Sequence, residues 1–223
     1  MSIEIPETTA ADLSDTSNAK VQGNVPEDQE TVSEEDAADN NSHIVKYDLI
    51  HELIHGMMVS NLACAVGREL DLPEDICYEL AMAGMLHDIG KLRLTGYIYG
   101  KEKNPMVIEE LKYVRMHSTL GYLELKEQDY SEFILKSILY HHENYDGSGY
   151  PSNLSGEEIP IGARILRVCD VYAALRSDRP YRKAFDREAA MELMIEEVKN
   201  FDMQVFLAFQ RVVHSRSEEL PVL

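Results

Sequence analysis

The 223-residue sequence predicts an all-α fold, and three observations support it. From about Tyr47 onward apolar residues recur at helical spacing, strand-like alternation is scarce, and no internal repeat is found. Helices are expected at 47–70, 74–88, 105–116, 118–127, 131–143, 160–176, 187–199 and 202–214, about seven or eight in one bundle. The first gathers Ile54, Met58 and Leu62 on one face. Leu72-Pro73 ends it, because proline offers no backbone donor. Gly90 and the stretch from Gly96 to Pro105 separate the second helix from the third. A loop from Asn144 to Ile159 follows the fifth. Ser155 with Glu158 gives a capping signal near its end, and Pro160 suits the first turn of the next helix.

The domain is expected to span 44–215, with a short tail at 216–223. Residues 1–43 hold eleven acids and one base, Lys20, which accounts for −10 of the net charge of −19. This leader has no apolar periodicity and is expected to be disordered, either as a plain solvated segment or as a contact for a protein partner. A homodimer is the other association considered. No basic stripe suits a nucleic-acid polymer. No apolar run reaches the length of a membrane span, and the start of the chain lacks the pattern of a signal peptide. Cys64, Cys77 and Cys169 are isolated thiols without metal-binding spacing, which points to a reducing, cytoplasmic compartment.

Several side chains can carry chemistry. His51 and His55 stand four residues apart on the apolar face of the first helix, a natural grip for a metal, although a lone inward histidine is more often a core residue. MLHDIGK places His87 beside Asp88 at a helix end, with Lys91 three residues on. His117 opens a later helix, and HHENYDGSGYP (141–151) supplies His141 and His142. Asp170 lies in IGARILRVCDVYAAL, a helix apolar nearly all round, where a carboxylate needs a cation, either a metal or Arg164 or Arg167. His55, His87, Asp88, His117, His141, His142 and Asp170 exceed what one ion can use. Two ions bridged by Asp88 could use them all, and such a pair suits phosphoester hydrolysis. Imidazole and carboxylate donors without thiolate favour Fe or Mn.

HDIGK (87–91), His117, HHENYDGSGYP (141–151) and GARILRVCDVYAALRSDRPYR (162–182) together closely resemble the HD-GYP subgroup of the HD-domain phosphohydrolases over about residues 47–213. The resemblance implies an HD-domain helical bundle that hydrolyses cyclic di-GMP to the linear dinucleotide or to GMP. Carried over residue by residue, it makes the seven histidines and aspartates metal ligands and puts Lys91 beside the scissile phosphate. It also makes Arg179 and Arg182 phosphate contacts, where pairing with Asp178 and Asp186 is the plain alternative. In the loop, Gly147 and Gly149 are expected to let the chain turn tightly beside a bulky dinucleotide, and Tyr150 to present its ring or hydroxyl to it. Asp146 would fix the loop internally at the substrate's edge, and Glu143 would orient a histidine. A purely structural turn is the alternative for this loop.

The sequence departs from the family pattern in three places. Members that bind three ions carry a glutamate where this chain has His51, so two ions are expected, with His51 the only candidate for a third. LRLTGYIYG (92–100) replaces the usual segment after HDxGK. No receiver or PAS-like stretch is legible before the domain.

Overall fold

The structure is a computed structural model that describes the backbone of residues 34–94, 114–178 and 182–215, with side chains from Ile50 onward. The chain divides into two units, Met1–Asp39 and Asn40–Leu223, and the second holds the helical core and the site. Among the described residues are seven α-helices and no β-strand. They are α1 (Glu34–Glu69), α2 (Glu74–Leu86), α3 (His117–Lys126), α4 (Glu132–Tyr140), α5 (Ile161–Leu175), α6 (Arg187–Glu196) and α7 (Met203–Ser215). Short 3-10 turns run over Ile89–Leu94, Gly156–Glu158 and Val198–Asn200. The expected helix at 105–116 lies largely outside the described residues.

Helix α1 begins at Glu34 rather than Tyr47, so its backbone crosses the expected boundary of the leader. At the other end Asp71 adopts φ 55 and the Leu72 N–H donates to Gly67 O at 3.0 Å, a left-handed stop just before Pro73. The chain then returns along α1. Their contact is close: a Cβ on Gly84 would lie 2.8 Å from Ser60 Cα, and one on Gly56 would lie 3.0 Å from Met85 O. Two helices carrying different parts of the site are thereby held together.

Helix α5 is the middle of the core. Ile165, Leu166, Val168, Cys169, Tyr172 and Ala173 are all buried along it, as the nearly continuous apolar pattern requires. Tyr172 meets Phe209 of α7 edge-on at 5.1 Å between ring centroids. The polar exception, Asp170, projects from the same helix into the site.

Two caps follow local chemistry. Ser131 accepts the Ile134 N–H at 3.2 Å to start α4, and Asp186 accepts the Ala189 N–H at 2.8 Å to start α6. Asp202 does more. Its Oδ1 accepts the Gln204 N–H at 2.8 Å at the head of α7, while its Oδ2 binds Arg164 Nη1 at 2.6 Å. Replacement by alanine strips the cap and leaves a largely buried guanidinium without its partner. Asp202→Ala is expected to cost about 3 kcal/mol of unfolding free energy, read from urea midpoints at unchanged slope. A change below about 1 kcal/mol would contradict that account.

Candidate metal centre

Five elements deliver the site. His55 comes from α1, His87 and Asp88 from the turn after α2, His117 from the first residue of α3, His141 and His142 from the turn after α4, and Asp170 from α5. Helices α2 and α4 stop two or three residues short of their expected ends, at Leu86 and Tyr140. The histidines therefore sit on helix ends, where carbonyls lack partners within the helix. Three of them use those carbonyls. The Nδ1–H of His87 donates to Gly84 O at 2.8 Å, that of His117 to Val114 O at 2.6 Å, and that of His141 to Ile138 O at 2.7 Å. Each bond turns Nε2 inward, where a neutral ring presents a lone pair.

The ligating atoms form overlapping groups, each within a sphere one ion could serve: two that share no residue, and a third, His87, Asp88 and His141, that links them. His55, His87 and Asp170 form one, and His117, His141 and His142 the other. In the first, Asp170 Oδ1 is 3.0 Å from His55 Nε2 and 3.6 Å from His87 Nε2. In the second, His117 Nε2 stands 3.3 Å from His141 Nε2 and 3.0 Å from His142 Nε2. Asp88 spans the two. Its Oδ2 lies 3.3 Å from His87 Nε2 and 3.8 Å from His55 Nε2, while its Oδ1 lies 3.3 Å from His117 Nε2. One carboxylate presenting one oxygen to each group has the geometry of a bridge.

This donor set fits a pair of cations. Given their Nδ1–H bonds, His117 and His141 point two lone pairs at each other across 3.3 Å. That contact is repulsive unless a positive charge lies between them. Burial pushes the protonation of His117 down and that of His141 well down, and it lowers His142 to about 3, so the rings themselves do not supply the charge. His87 is different. Burial opposes its charged form, but the charge of Asp88 and the carboxylate oxygens of Asp170 and Asp88 facing Nε2 raise it to about 10. For Asp88, burial is outweighed by His87 and Lys91, which hold its carboxyl well below the usual range. Asp170 is likewise held low, by its bonds to His55 and His87. Two carboxylates in a buried place thus draw in whatever cation is at hand. With no thiolate and mixed imidazole and carboxylate donors, the groups could hold divalent ions.

Lys91 stands at the edge of the centre. Its Nζ donates to Asp88 Oδ2 at 2.6 Å and to Glu52 Oε2 at 3.2 Å. Sequence reading missed Glu52, although its place between His51 and His55 on α1 was a signal. His51 is half-buried and belongs to neither group of ligating atoms among the described residues. Asp170 has neither arginine as its cation, because Arg164 binds Asp202 and Arg167 Nε donates to Asn144 Oδ1 at 2.9 Å.

The loop after His142 departs from expectation in its reasons. Gly149 is required by the protein's own backbone: a Cβ there would lie 2.2 Å from Asn144 N and 2.5 Å from His142 O. Among the described residues Glu143 has no hydrogen bond to a histidine. It is buried, and its Oε1 accepts the Ser152 N–H at 2.7 Å, bracing the loop from beneath. Asp146 is exposed and accepts from Ser148 N at 3.0 Å and Ser148 Oγ at 2.5 Å, so it fixes the turn rather than facing the centre. Tyr150 does face it, stacked on His142 with centroids 4.8 Å apart. Arg182 is turned away from a phosphate role. Its Nη1 donates to Leu175 O at 3.1 Å and its Nη2 to Ala174 O at 3.0 Å, which caps α5, and it lies 4.4 Å over the Phe185 ring. Arg179 lies outside the described residues.

An all-helical domain built round a buried histidine–aspartate centre is a defined class. The sequence profile of the HD domain matches residues 31–205; the chain belongs to that family, and its HDIGK and HHENYDGSGYP motifs place it in the HD-GYP subgroup. The cyclic di-GMP phosphodiesterase PA4108 of Pseudomonas aeruginosa is 39% identical over 161 residues, which are 72% of this chain and 39% of that protein. The 3'3'-cGAMP-specific phosphodiesterase 1 of Vibrio cholerae is 34% identical over 156 residues, 68% of this chain and 36% of that protein. This chain thus spans well under half the length of either relative. The structure of Bd1817, an HDG"Y"P protein from Bdellovibrio bacteriovorus, shares the fold with a TM-score of 0.59 at 21% identity, covering 73% of this chain and 53% of that one. No helix among the described residues is long and apolar enough to cross a membrane.

Proposed function

We propose that this chain hydrolyses cyclic di-GMP at a centre of two divalent ions, Fe or Mn, giving the linear dinucleotide or GMP. The observation that carries this reading is Asp88, whose two oxygens face separate imidazole groups. His55, His87 and Asp170 would hold one ion and His117, His141 and His142 the other, with Asp88 common to both. Ions held there would lower the pKa of a bound water and offset charge on the phosphoryl oxygens.

The protein's own groups complete the arrangement. Burial keeps His117, His141 and His142 neutral, the form a ligand must have. The bonds of Nδ1–H to helix-end carbonyls hold Nε2 of His87, His117 and His141 in register before substrate arrives. Lys91 stays charged: its burial is outweighed by Asp88 and Glu52, which raise its ammonium above the ordinary value. It thus offers a fixed positive charge where the phosphate gains negative charge.

The test is to incubate anaerobically purified chain, loaded with Fe or Mn, with cyclic di-GMP and follow products by chromatography. Linear dinucleotide or GMP is expected. Tight binding without product would favour a signalling module instead, and faster cleavage of cyclic GMP-AMP would reassign the substrate.

Metal content gives a separate test. Two equivalents per chain are expected by elemental analysis, and three after His51→Glu, because a carboxylate adds charge and can bridge where an imidazole cannot. Unchanged content in the variant would remove His51 from the centre's surroundings. Stripping the ions with a chelator should lower the melting temperature by about 10 °C, since ligands from five elements bind only in the folded state. An identical melting curve before and after stripping would argue against occupancy.

A further inference from the structure

The chain has 40 acids against 21 lysines and arginines, so a cation with no carboxylate partner calls for a reason. Two such cations lie close to the centre. Arg115, two residues before His117, is exposed and makes no ion pair among the described residues. Its guanidinium lies over the Tyr150 ring, 5.2 Å from the centroid. Arg167 is half-buried on α5, three residues before Asp170 and so on the same face. Its Nε is engaged by Asn144, whereas Nη1 and Nη2 have no partner among the described residues. Asn144 in turn packs against Gly149, its N 2.2 Å from where a Cβ on that glycine would lie, so Arg167 is tied to the loop beside Tyr150. Arg115, over Tyr150, and Arg167, through Asn144, therefore both stand at the loop next to the group of His117, His141 and His142.

A phosphodiester at the ions is already provided for by the ions and Lys91. Two further guanidiniums beside it exceed what one phosphate needs. A cyclic dinucleotide, however, carries a second phosphate on the far side of its ring. Arginine's planar fork suits that group, and the Tyr150 ring under Arg115 holds that guanidinium's plane in place.

We infer that Arg115 and Arg167, arranged about Tyr150, hold the phosphate that is not being cleaved and so set a preference for two-phosphate cyclic ligands over single phosphodiesters. This inference rests on the reading given under Proposed function and adds two specificity-determining residues to it.

The test compares two substrates on the metal-loaded full chain: cyclic di-GMP, and bis(p-nitrophenyl) phosphate, which has one phosphate. Arg115→Ala and Arg167→Ala should each raise KM for cyclic di-GMP about ten-fold more than for the small diester. Equal losses on both substrates would overturn the assignment. So would an Asn144→Ala variant that reproduces the whole Arg167→Ala effect, because Arg167 would then only brace the loop. If Arg167→Ala sheds metal, Arg167→Gln is read in its place by the same ratio.

The two readings fail differently. A wild-type chain that cleaves the small diester but neither binds nor cleaves cyclic di-GMP refutes the substrate reading. The comparison then passes to cyclic di-AMP and cyclic GMP-AMP, by calorimetric affinity where turnover is absent. No preference for either over the small diester would refute the arginine subsite as well.

Discussion

Asp88→Asn is expected to reduce cyclic di-GMP hydrolysis by about a thousand-fold or more and to leave at most one equivalent of bound metal. The side chain keeps its size, so packing is spared. What changes is charge and donor type. One oxygen becomes an amide NH2, which cannot ligate, and the site loses half of its buried negative charge. The 3.3 Å approaches to His87 Nε2 on one side and His117 Nε2 on the other can then no longer be bridged by one group. Lys91 also loses its 2.6 Å partner and keeps only Glu52. Elemental analysis and a rate measurement on the same preparation decide the matter. Two equivalents of metal with near-normal turnover would show that Asp88 does not join the groups.

Gly90→Ala should be the most damaging substitution outside the ligands. A Cβ at this position would lie 2.0 Å from His117 O and 2.6 Å from Gly121 N, both backbone atoms that cannot swing aside. Accommodating it means parting the 3-10 turn that follows Asp88 from the helix that begins at His117. The expected cost is about 3 kcal/mol or more, a fall of about 10 °C in melting temperature, with loss of bound metal. Because the two groups of ligands are separated by this movement, metal content should fall more steeply than helical content by circular dichroism. Retained metal and an unchanged melting point would mean that the contact yields easily.

These two residues show what could be read in the sequence. The helices were legible because each has its own apolar period, and α5 was legible as central because it is apolar nearly all round. The ligand candidates were legible from residue type alone, Asp170 best of all, as a lone acid in an apolar helix. Their division into two groups was not, since it depends on how five elements pack. The role of Gly90 was hidden for the same reason: its neighbour, the backbone at His117, is remote in sequence. Reasons given for the loop also shifted. Gly149 answers to the backbone of 142–144, Glu143 to Ser152, and Arg182 to the end of α5. In each case a local hydrogen bond or close contact, invisible in a linear reading, uses the side chain first. Arg115 escaped attention, and Arg167 was weighed only as a cation for Asp170, because nothing in a sequence distinguishes a cation with an acidic partner from one without.

His87, His117 and His141 each anchor to the main chain three positions back, and this has a consequence for how the domain tolerates change. The aim of each ring is built into the turn that carries it and borrows nothing from a distant side chain. Random replacement of the surrounding residues should therefore leave the rings correctly pointed for as long as those turns survive. Lineages of this fold can remodel what lies around the centre without having to rebuild it.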